Sequence, residues 1–89
     1  MFRIFKVSGE SMKPNFKNDH FVLTRKTKNI KENDVVVINL DHYGNILKRV
    51  SSIGQNGVKL KSDNPIYEST PTFGLHEVSK IVGKVIFKI

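Results

Sequence analysis

The chain has 89 residues, which is enough for one domain, and its predicted bounds are residues 1–89. It contains no cysteine, and this excludes disulfides, thiolate nucleophiles and cysteine-based metal sites. The net charge of +7 is concentrated in residues 1–31, which hold eight basic residues against Glu10 and Asp19. A basic surface of this kind suggests nucleic acid, an anionic membrane or an acidic protein as partner.

Alternation of apolar and polar residues with a period of two predicts several short β-strands. In chain order these are residues 2–7, 20–25, 34–40, 45–53, 58–61 and 80–89, with a short helical turn at residues 11–16. The third segment is apolar enough to be buried on both faces of a sheet. Turn-forming residues separate the segments. The sequence therefore predicts an all-β or nearly all-β domain, formed by a single compact, coiled β-sheet or barrel.

Most enzyme classes lack their motifs in this sequence. The three histidines, His20, His42 and His76, do not show the i, i+4 spacing of helical metal sites. Phosphate-binding and dinucleotide-binding loops are absent from the sequence as well. We expect neither a cofactor nor a metal ion.

Ser11 is a candidate nucleophile. It follows a predicted strand and Gly9, at the start of a short helical turn, where backbone N–H groups can face the same space as the hydroxyl. A serine needs a base to act as a nucleophile, and no histidine is placed to serve. A lysine must therefore be considered.

Lys48 is the candidate base. In a strand it shares one face with Ile46 and Val50, two β-branched apolar residues. These neighbours are expected to desolvate the amine and lower its pKa toward the range of a general base. The alternative is an ordinary solvated lysine, one of twelve in the chain.

At these residues the chain resembles the serine–lysine peptidases that include signal peptidase I and the self-cleaving domain of LexA-type repressors. Residues 7–14, with Gly-x-Ser-Met at their centre, resemble the nucleophile motif, and residues 47–50 resemble the lysine motif 37 positions after Ser11. Segments 16–23, 33–37, 62–67 and 81–85 follow in the order of the family. The resemblance covers nearly the whole chain.

The resemblance implies a serine endopeptidase in which Ser11 is the nucleophile and Lys48 the general base. The backbone N–H groups of Glu10 and Ser11 are then expected to form the oxyanion hole. The hydroxyl of Ser11 and the amine of Lys48 should approach hydrogen-bond distance, about 2.6–3.2 Å or longer without substrate. The resemblance also implies an extended substrate bound along a strand, with small side chains next to the cleaved bond.

Four positions depart from the family pattern. Asn18 and Asn33 replace the glycine that precedes aspartate, and both turns should survive because asparagine tolerates a positive φ. Gly9 offers no hydroxyl to the oxyanion hole, and Ile46 replaces a threonine that helps to hold the lysine. The group that orients Lys48 is left open among three candidates, which are Ser62, Ser69 and Thr70.

The expected substrate is another polypeptide, cleaved in trans. The sequence contains no alanine, hence no alanine–glycine bond for self-cleavage, and Ser11 stands near the first residue. We expect a cytoplasmic protein, or one peripheral at the membrane with a membrane or membrane-anchored partner, and no direct binding of nucleic acid. The alternative is a non-catalytic basic module of the same fold that recognises a peptide strand or nucleic acid.

Overall fold

A computed structural model describes residues 1–67 and 74–89 of the protein. Its strands are β1 (Phe2–Lys6), β2 (Phe21–Arg25), β3 (Val35–Leu40), β4 (Gly44–Gly54), β5 (Gly57–Lys61) and β6 (Ile81–Lys88). All lie where the alternation pattern predicts them. Two short 3-10 turns, Pro65–Tyr67 and Val78–Lys80, are the regular helical elements of the described residues. The predicted all-β fold is confirmed.

The six strands form one antiparallel sheet in the order β1-β2-β6-β3-β4-β5. The last strand, β6, therefore lies between β2 and β3. Within the described residues, β1 and β5 are the two edges, so the sheet is open and the barrel alternative does not apply. Irregular register within β2–β6, β3–β6 and β4–β5 bends the sheet.

The core consists of two apolar clusters to which β3 contributes from both of its faces. Five of the six residues of β3 are buried, as its continuous apolar run predicts. One cluster contains Ile30, Val36, Ile38, Leu40, Val50, Val58, Leu60 and Ile81. The other contains Val7, Met12, Phe16, Val22 and Val35. The second cluster underlies the turn that carries Ser11.

The two turns predicted at Asn18 and Asn33 are both present, but only one places its asparagine at positive φ. Asn33 has a φ of 75°, whereas in the first turn the positive φ of 71° belongs to Asp19. Asn18 acts through its side chain instead, because its Oδ1 accepts a hydrogen bond of 2.7 Å from the N–H of Gly9. Asn18 therefore links the first turn to Gly9, in the segment that leads to Ser11.

Candidate active site

Ser11 lies in a turn that is fixed at both ends. Gly9 has a φ of 90°, which favours glycine, and its N–H is bound by Asn18. Met12 follows, is 1% exposed and packs in the second core cluster. The predicted helical turn is present as a hydrogen bond of 2.9 Å from the N–H of Phe16 to the carbonyl of Met12. Ser11 is half-buried on this turn.

Lys48 lies in the middle of β4 and is only 4% exposed, as its two apolar neighbours on the strand predict. On β3 its register partner is Val36, which is fully buried. In the described part of the chain no carboxylate forms an ion pair with its amine. Burial therefore lowers the pKa of Lys48 below that of an ordinary lysine.

Ser62 holds the amine of Lys48. The Nζ atom donates a hydrogen bond of 2.7 Å to Ser62 Oγ, and that hydroxyl in turn donates to the carbonyl of Tyr67 at 3.0 Å. Because the hydroxyl proton is used toward Tyr67, the oxygen presents its lone pairs to Lys48. Of the three candidates for this role, Ser62 is the one seen to bind Lys48, and Ser69 and Thr70 lie outside the described residues.

The segment Ser62–Asn64 also holds the turn that carries Ser11. The N–H of Asn64 donates to the carbonyl of Ser11 at 2.8 Å, and its side-chain Nδ2 donates to the carbonyl of Glu10 at 3.1 Å. One three-residue segment thus contacts both the turn that carries Ser11 and the buried amine of Lys48. Within residues 1–67 and 74–89, Ser11 and Lys48 are not hydrogen-bonded to each other directly, and Nζ contacts Ser62 instead.

Arg49 and Asp63 form a second link between β4 and this segment. The guanidinium binds both carboxylate oxygens, with Nε–Oδ1 at 2.7 Å and Nη2–Oδ2 at 2.8 Å. Its third contact is the carbonyl of Asn33 at 2.7 Å. The hydrogen bonds from Arg49 hold the pKa of Asp63 below its ordinary value. This ion pair, one residue along from Lys48 and Ser62, fixes the alignment of the two backbones.

The peptide between Glu10 and Ser11 is oriented by hydrogen bonds to its carbonyl. Its carbonyl is directed at Asn64 and at the N–H of Lys13, which lies at 3.2 Å. The peptide between Glu10 and Ser11 is trans, since the cis peptide of this turn is the one between Lys13 and Pro14. In a trans peptide the N–H points in the direction opposite to the carbonyl. The N–H of Ser11 therefore points away from Asn64. Within the described residues, neither the N–H of Ser11 nor the N–H of Glu10 donates a hydrogen bond.

A groove of about 260 Å³ borders the site. One wall is the segment from Phe5 to Ser8, which leads to Ser11, and the other is the stretch from Asn45 to Leu47, which leads to Lys48. Val22 and Val37 form its apolar floor, and Tyr43 stands at its rim. The groove thus lies between two stretches of chain that precede Ser11 and Lys48, and neither of these two residues is among those that line it.

The first half of β4 has backbone groups that point away from β3 and pair with no strand of the described residues. The N–H of Val50 donates to the carbonyl of Asp34 at 2.8 Å. Because bonded and non-bonded pairs alternate along an antiparallel ladder, the even-numbered residues of β4 are the ones whose backbone groups bond to β3. The N–H and C=O groups of Asn45 and Leu47 therefore point away from β3. On that side, β5 pairs with β4 only from Arg49 onward. Within the described residues, the backbone groups of Asn45 and Leu47 are therefore of the kind to which an extended peptide can add as a strand.

Comparison with known proteins identifies one family. The sequence profile described as Peptidase S24-like matches residues 2–86, almost the entire chain. No curated protein matches the chain at a significant level. In the part of the chain that the structure describes, no helix has the length and apolar character needed to cross a membrane. Across the same residues, no group of three or more histidine, aspartate or glutamate side chains is arranged to hold a metal ion.

Proposed function

The chain belongs to the Peptidase S24-like family, and on this premise we propose that it is a serine endopeptidase with Ser11 as nucleophile and Lys48 as general base. One observation carries the proposal. The segment Ser62–Asn64 binds the buried amine of Lys48 through Ser62 and the backbone of Ser11 through Asn64. A lysine that forms no ion pair with a carboxylate of the described residues, held on the segment that also holds the turn of Ser11, suits proton transfer better than it suits stabilisation of the fold.

The proposed reaction starts with neutral Lys48. Its Nζ accepts the proton of Ser11 Oγ as that oxygen attacks the carbonyl carbon of the substrate, giving a tetrahedral intermediate. The intermediate collapses to an acyl-enzyme, and the protonated amine of Lys48 gives its proton to the leaving nitrogen. Water then attacks the ester, with Lys48 again accepting the proton, and Ser11 is regenerated.

The N–H groups of Glu10 and Ser11 are proposed to bind the oxyanion. Asn64 supports this role, because its two hydrogen bonds to the carbonyls of Glu10 and Ser11 orient this stretch of backbone. Fixed donors stabilise a developing negative charge without reorganising during the reaction. This arrangement needs no side-chain hydroxyl at Gly9.

The proposed substrate is a polypeptide that extends along β4. Its backbone would bond to the outward groups of Asn45 and Leu47, while its side chains enter the groove above Val22 and Val37. Small side chains are proposed next to the cleaved bond, as the resemblance to serine–lysine peptidases implies. Cleavage is proposed to occur in trans, on a separate polypeptide.

Peptidase activity against a quenched fluorescent peptide library with small residues at the cleavage position tests the proposal. We expect Ser11→Ala and Lys48→Met each to lower kcat/KM by roughly a thousandfold or more, as removal of a nucleophile or its base does in serine peptidases. Lys59→Met is the matched control, because Lys59 is an exposed lysine on β5. Its activity should equal that of the native chain.

Two results would contradict the proposal. Activity that survives Ser11→Ala would assign the cleavage to another group or to a contaminant. A native chain that cleaves no member of the library, but binds peptides or DNA with an affinity that falls with salt, would favour the non-catalytic basic module instead.

A further inference from the structure

A cleft of about 270 Å³ opens at the end of the β1–β2 hairpin that is remote from Ser11. The turn that carries Ser11 follows the carboxyl end of β1, whereas the cleft lies where β1 begins and β2 ends. The N–H of Lys26 donates to the carbonyl of Met1 at 3.0 Å and closes this end of the hairpin. The cleft therefore lies in a part of the molecule that the proposed peptidase mechanism does not use.

Three cationic side chains from separate parts of the chain line this cleft. Arg3 belongs to β1, Lys26 follows β2, and Lys80 belongs to the turn that precedes β6. All three residues are exposed, so their charged groups can reach a ligand. The buried Thr24 lines the cleft as well, and its hydroxyl donates to the carbonyl of Arg3 at 3.1 Å. This contact fixes the backbone of Arg3 against β2.

The positive charge of the cleft has no counter-charge among the described residues that line it. Within the same part of the chain, Arg3, Lys26 and Lys80 form no ion pair. The two acidic residues of the strongly basic stretch 1–31, Glu10 and Asp19, pair with other lysines. Like charges that converge in this way repel one another. An anion bound between the three side chains would remove the repulsion.

The acidic residues near Lys80 belong to a different cleft. Glu77 and Asp41 line that neighbouring cleft, and Glu77 accepts a hydrogen bond of 3.4 Å from the hydroxyl of Ser79. Lys80 borders the neighbouring cleft too, but in the described residues it forms no ion pair with either carboxylate. These carboxylates therefore leave the basic cleft uncompensated.

A second cleft of about 630 Å³ adjoins the basic one and is mostly apolar. Lys26, Ser79 and Ile81 line both clefts, so the two spaces are continuous. The second cleft adds Val78 to its apolar wall and Lys28 to its rim. Ligand sites commonly combine an apolar wall with a few polar groups that fix orientation. The two clefts together fit a ligand with an anionic group and an apolar body.

Phosphate is the anionic group that the basic cleft suits best. A phosphate monoester carries about two negative charges at neutral pH, twice the charge of a carboxylate, and three cations face this cleft. The guanidinium of Arg3 can bind two phosphate oxygens through parallel N–H groups, while the lysine amines add charge.

We propose that Arg3, Lys26 and Lys80 bind the phosphate group of a small organic phosphate, whose organic part lies against Val78 and Ile81. The ligand class is that of phosphate monoesters, such as a nucleoside monophosphate. None of the residues that line these two clefts lines the groove proposed for the peptide substrate. Binding at this site does not depend on peptidase activity.

Isothermal titration calorimetry of the full chain tests the proposal with three probes: adenosine 5′-monophosphate, inorganic phosphate and adenosine. We expect adenosine 5′-monophosphate to bind most tightly. Inorganic phosphate should bind more weakly because it lacks the organic part, and adenosine should show no binding because it lacks the charge. The affinity for adenosine 5′-monophosphate should fall as sodium chloride is added, since salt screens exposed charges.

Charge-removing variants test the residues. We expect Lys26→Met and Lys80→Met each to weaken the binding of adenosine 5′-monophosphate by about tenfold or more, as loss of a hydrogen bond between charged groups does. Lys59→Met is the matched control, because Lys59 is an exposed lysine that lines neither cleft. Ser11→Ala should bind like the native chain, which separates this site from the proposed peptidase function.

Thermal unfolding shows whether the variants fold and whether the ligand stabilises the chain. Without ligand, Lys80→Met should unfold at the temperature of the native chain or above it, because no ion pair of the described residues is lost. Adenosine 5′-monophosphate at about a hundred times its dissociation constant should raise the unfolding temperature of the native chain. The same concentration should raise that of Lys80→Met less.

Four outcomes would overturn the proposal. Lys26→Met and Lys80→Met could bind adenosine 5′-monophosphate as tightly as the native chain. Adenosine could bind as tightly as its monophosphate, which would show that the phosphate is not recognised. Inorganic phosphate could match adenosine 5′-monophosphate, which would leave the second cleft without an organic part. A chain that binds no monophosphate but binds vesicles containing phosphatidylserine would assign the basic residues to a membrane surface.

Discussion

At the scale of single residues, the feature with most consequence is an amine that is held in the core and forms no ion pair with a carboxylate of residues 1–67 and 74–89. Lys48 is almost fully buried, and its hydrogen bond goes to a neutral hydroxyl. Burial favours the neutral amine, which is the form that can accept a proton from Ser11. The same burial makes the charged form costly for the folded state. Activity and stability should therefore both depend on pH through this one residue.

Peptidase activity should rise with pH as Lys48 loses its proton. Because burial lowers its pKa, the midpoint of the rise in kcat/KM should lie below about 10.4, the value for an ordinary lysine. The measurement is a pH profile of kcat/KM on a single peptide. A profile that is flat from pH 6 to 10 would show that no group with the titration of Lys48 controls the rate.

The Ser62 hydroxyl should matter for the rate and little for substrate binding. Ser62→Ala removes the acceptor that orients Nζ, and we expect kcat to fall by roughly tenfold, equivalent to about 1.4 kcal/mol, with KM nearly unchanged. Ser62→Thr keeps the hydroxyl and should restore most of the activity. Equal kcat values for Ser62→Ala and the native chain would remove Ser62 from the mechanism.

Replacing Lys48 by an apolar residue should stabilise the fold. In the folded chain the pKa of Lys48 is lowered, so the unfolded chain binds this proton more tightly, and the free energy of unfolding rises with pH between the folded and unfolded pKa values. At a pH below both pKa values, the folded chain bears the full cost of burying the charged amine of Lys48. At pH 7 we expect Lys48→Met to raise the free energy of unfolding by about 1 kcal/mol or more.

Urea denaturation at pH 7 and pH 10 measures this effect. The increase in the free energy of unfolding caused by Lys48→Met should be smaller at pH 10, because a larger fraction of the Lys48 amine is neutral there in the native chain. The exposed Lys59→Met should change the free energy of unfolding by less than about 0.5 kcal/mol at either pH. A loss of stability in Lys48→Met at pH 7 would mean that the amine contributes more to folding than its burial costs.

At the scale of elements, the site depends on the alignment of β4 with the segment after β5. The pairing begins with Gly54 opposite Gly57 and shifts by one residue between Val50 and Ser52. Continued along the strands, the shifted register places Ser62 opposite Lys48, whereas an unshifted hairpin would place Asp63 there. A carboxylate in that position would stabilise the charged lysine and raise its pKa. Because of the bulge, Lys48 binds the neutral hydroxyl of Ser62, and Asp63 pairs with Arg49 instead.

Breaking the Arg49–Asp63 pair should destabilise this alignment. Asp63 is mostly buried, with a side chain 7% exposed, so Asp63→Asn leaves the guanidinium without its charged partner. We expect the free energy of unfolding at pH 7 to fall by about 2 kcal/mol, as for other hydrogen bonds to charged groups. Peptidase activity should fall as well, since Ser62 and Asn64 flank the lost contact.

The free energy of unfolding rises with pH through this pair, as it does through Lys48, but in the acid range. Because the pKa of Asp63 is lowered in the folded chain, its contribution is complete above about 3.9 and is lost as the pH falls through the lowered value. The difference between the native chain and Asp63→Asn should therefore narrow in urea denaturation below pH 3. Asp41→Asn, in the exposed turn between β3 and β4, is the control. If Asp63→Asn and Asp41→Asn changed the free energy of unfolding equally at each pH, the ion pair of Asp63 with Arg49 would not contribute to stability.

At the scale of the whole molecule, the sheet order brings distant parts of the chain to one site. The segment at residues 62–64 contacts both the turn at residues 10–12 and β4. The last strand, β6, enters between β2 and β3 and joins the amino-terminal hairpin to the rest of the sheet. The groove between residues 5–8 and 45–47 exists because of that arrangement.

The chain should not process itself. It contains no alanine, and the resemblance to serine–lysine peptidases implies cleavage at alanine. We expect the intact mass of the purified protein to stay unchanged during prolonged incubation at pH 8–10, where more of Lys48 is neutral, in the native chain and in Ser11→Ala alike. A fragment that requires Ser11 and forms with first-order, concentration-independent kinetics would contradict cleavage in trans.

The sequence by itself determined the strands, the burial of Lys48 and the turn that carries Ser11, because each depends on neighbours a few residues away. Period-two alternation locates strands, and the flanking Ile46 and Val50 are enough to indicate a desolvated amine. Only the tertiary structure decided what contacts that amine. Lys48 meets Ser62 because of a one-residue bulge, and Glu10 meets Asn64 across more than fifty positions of sequence. Strand order and register depend on long-range packing, which local patterns do not encode.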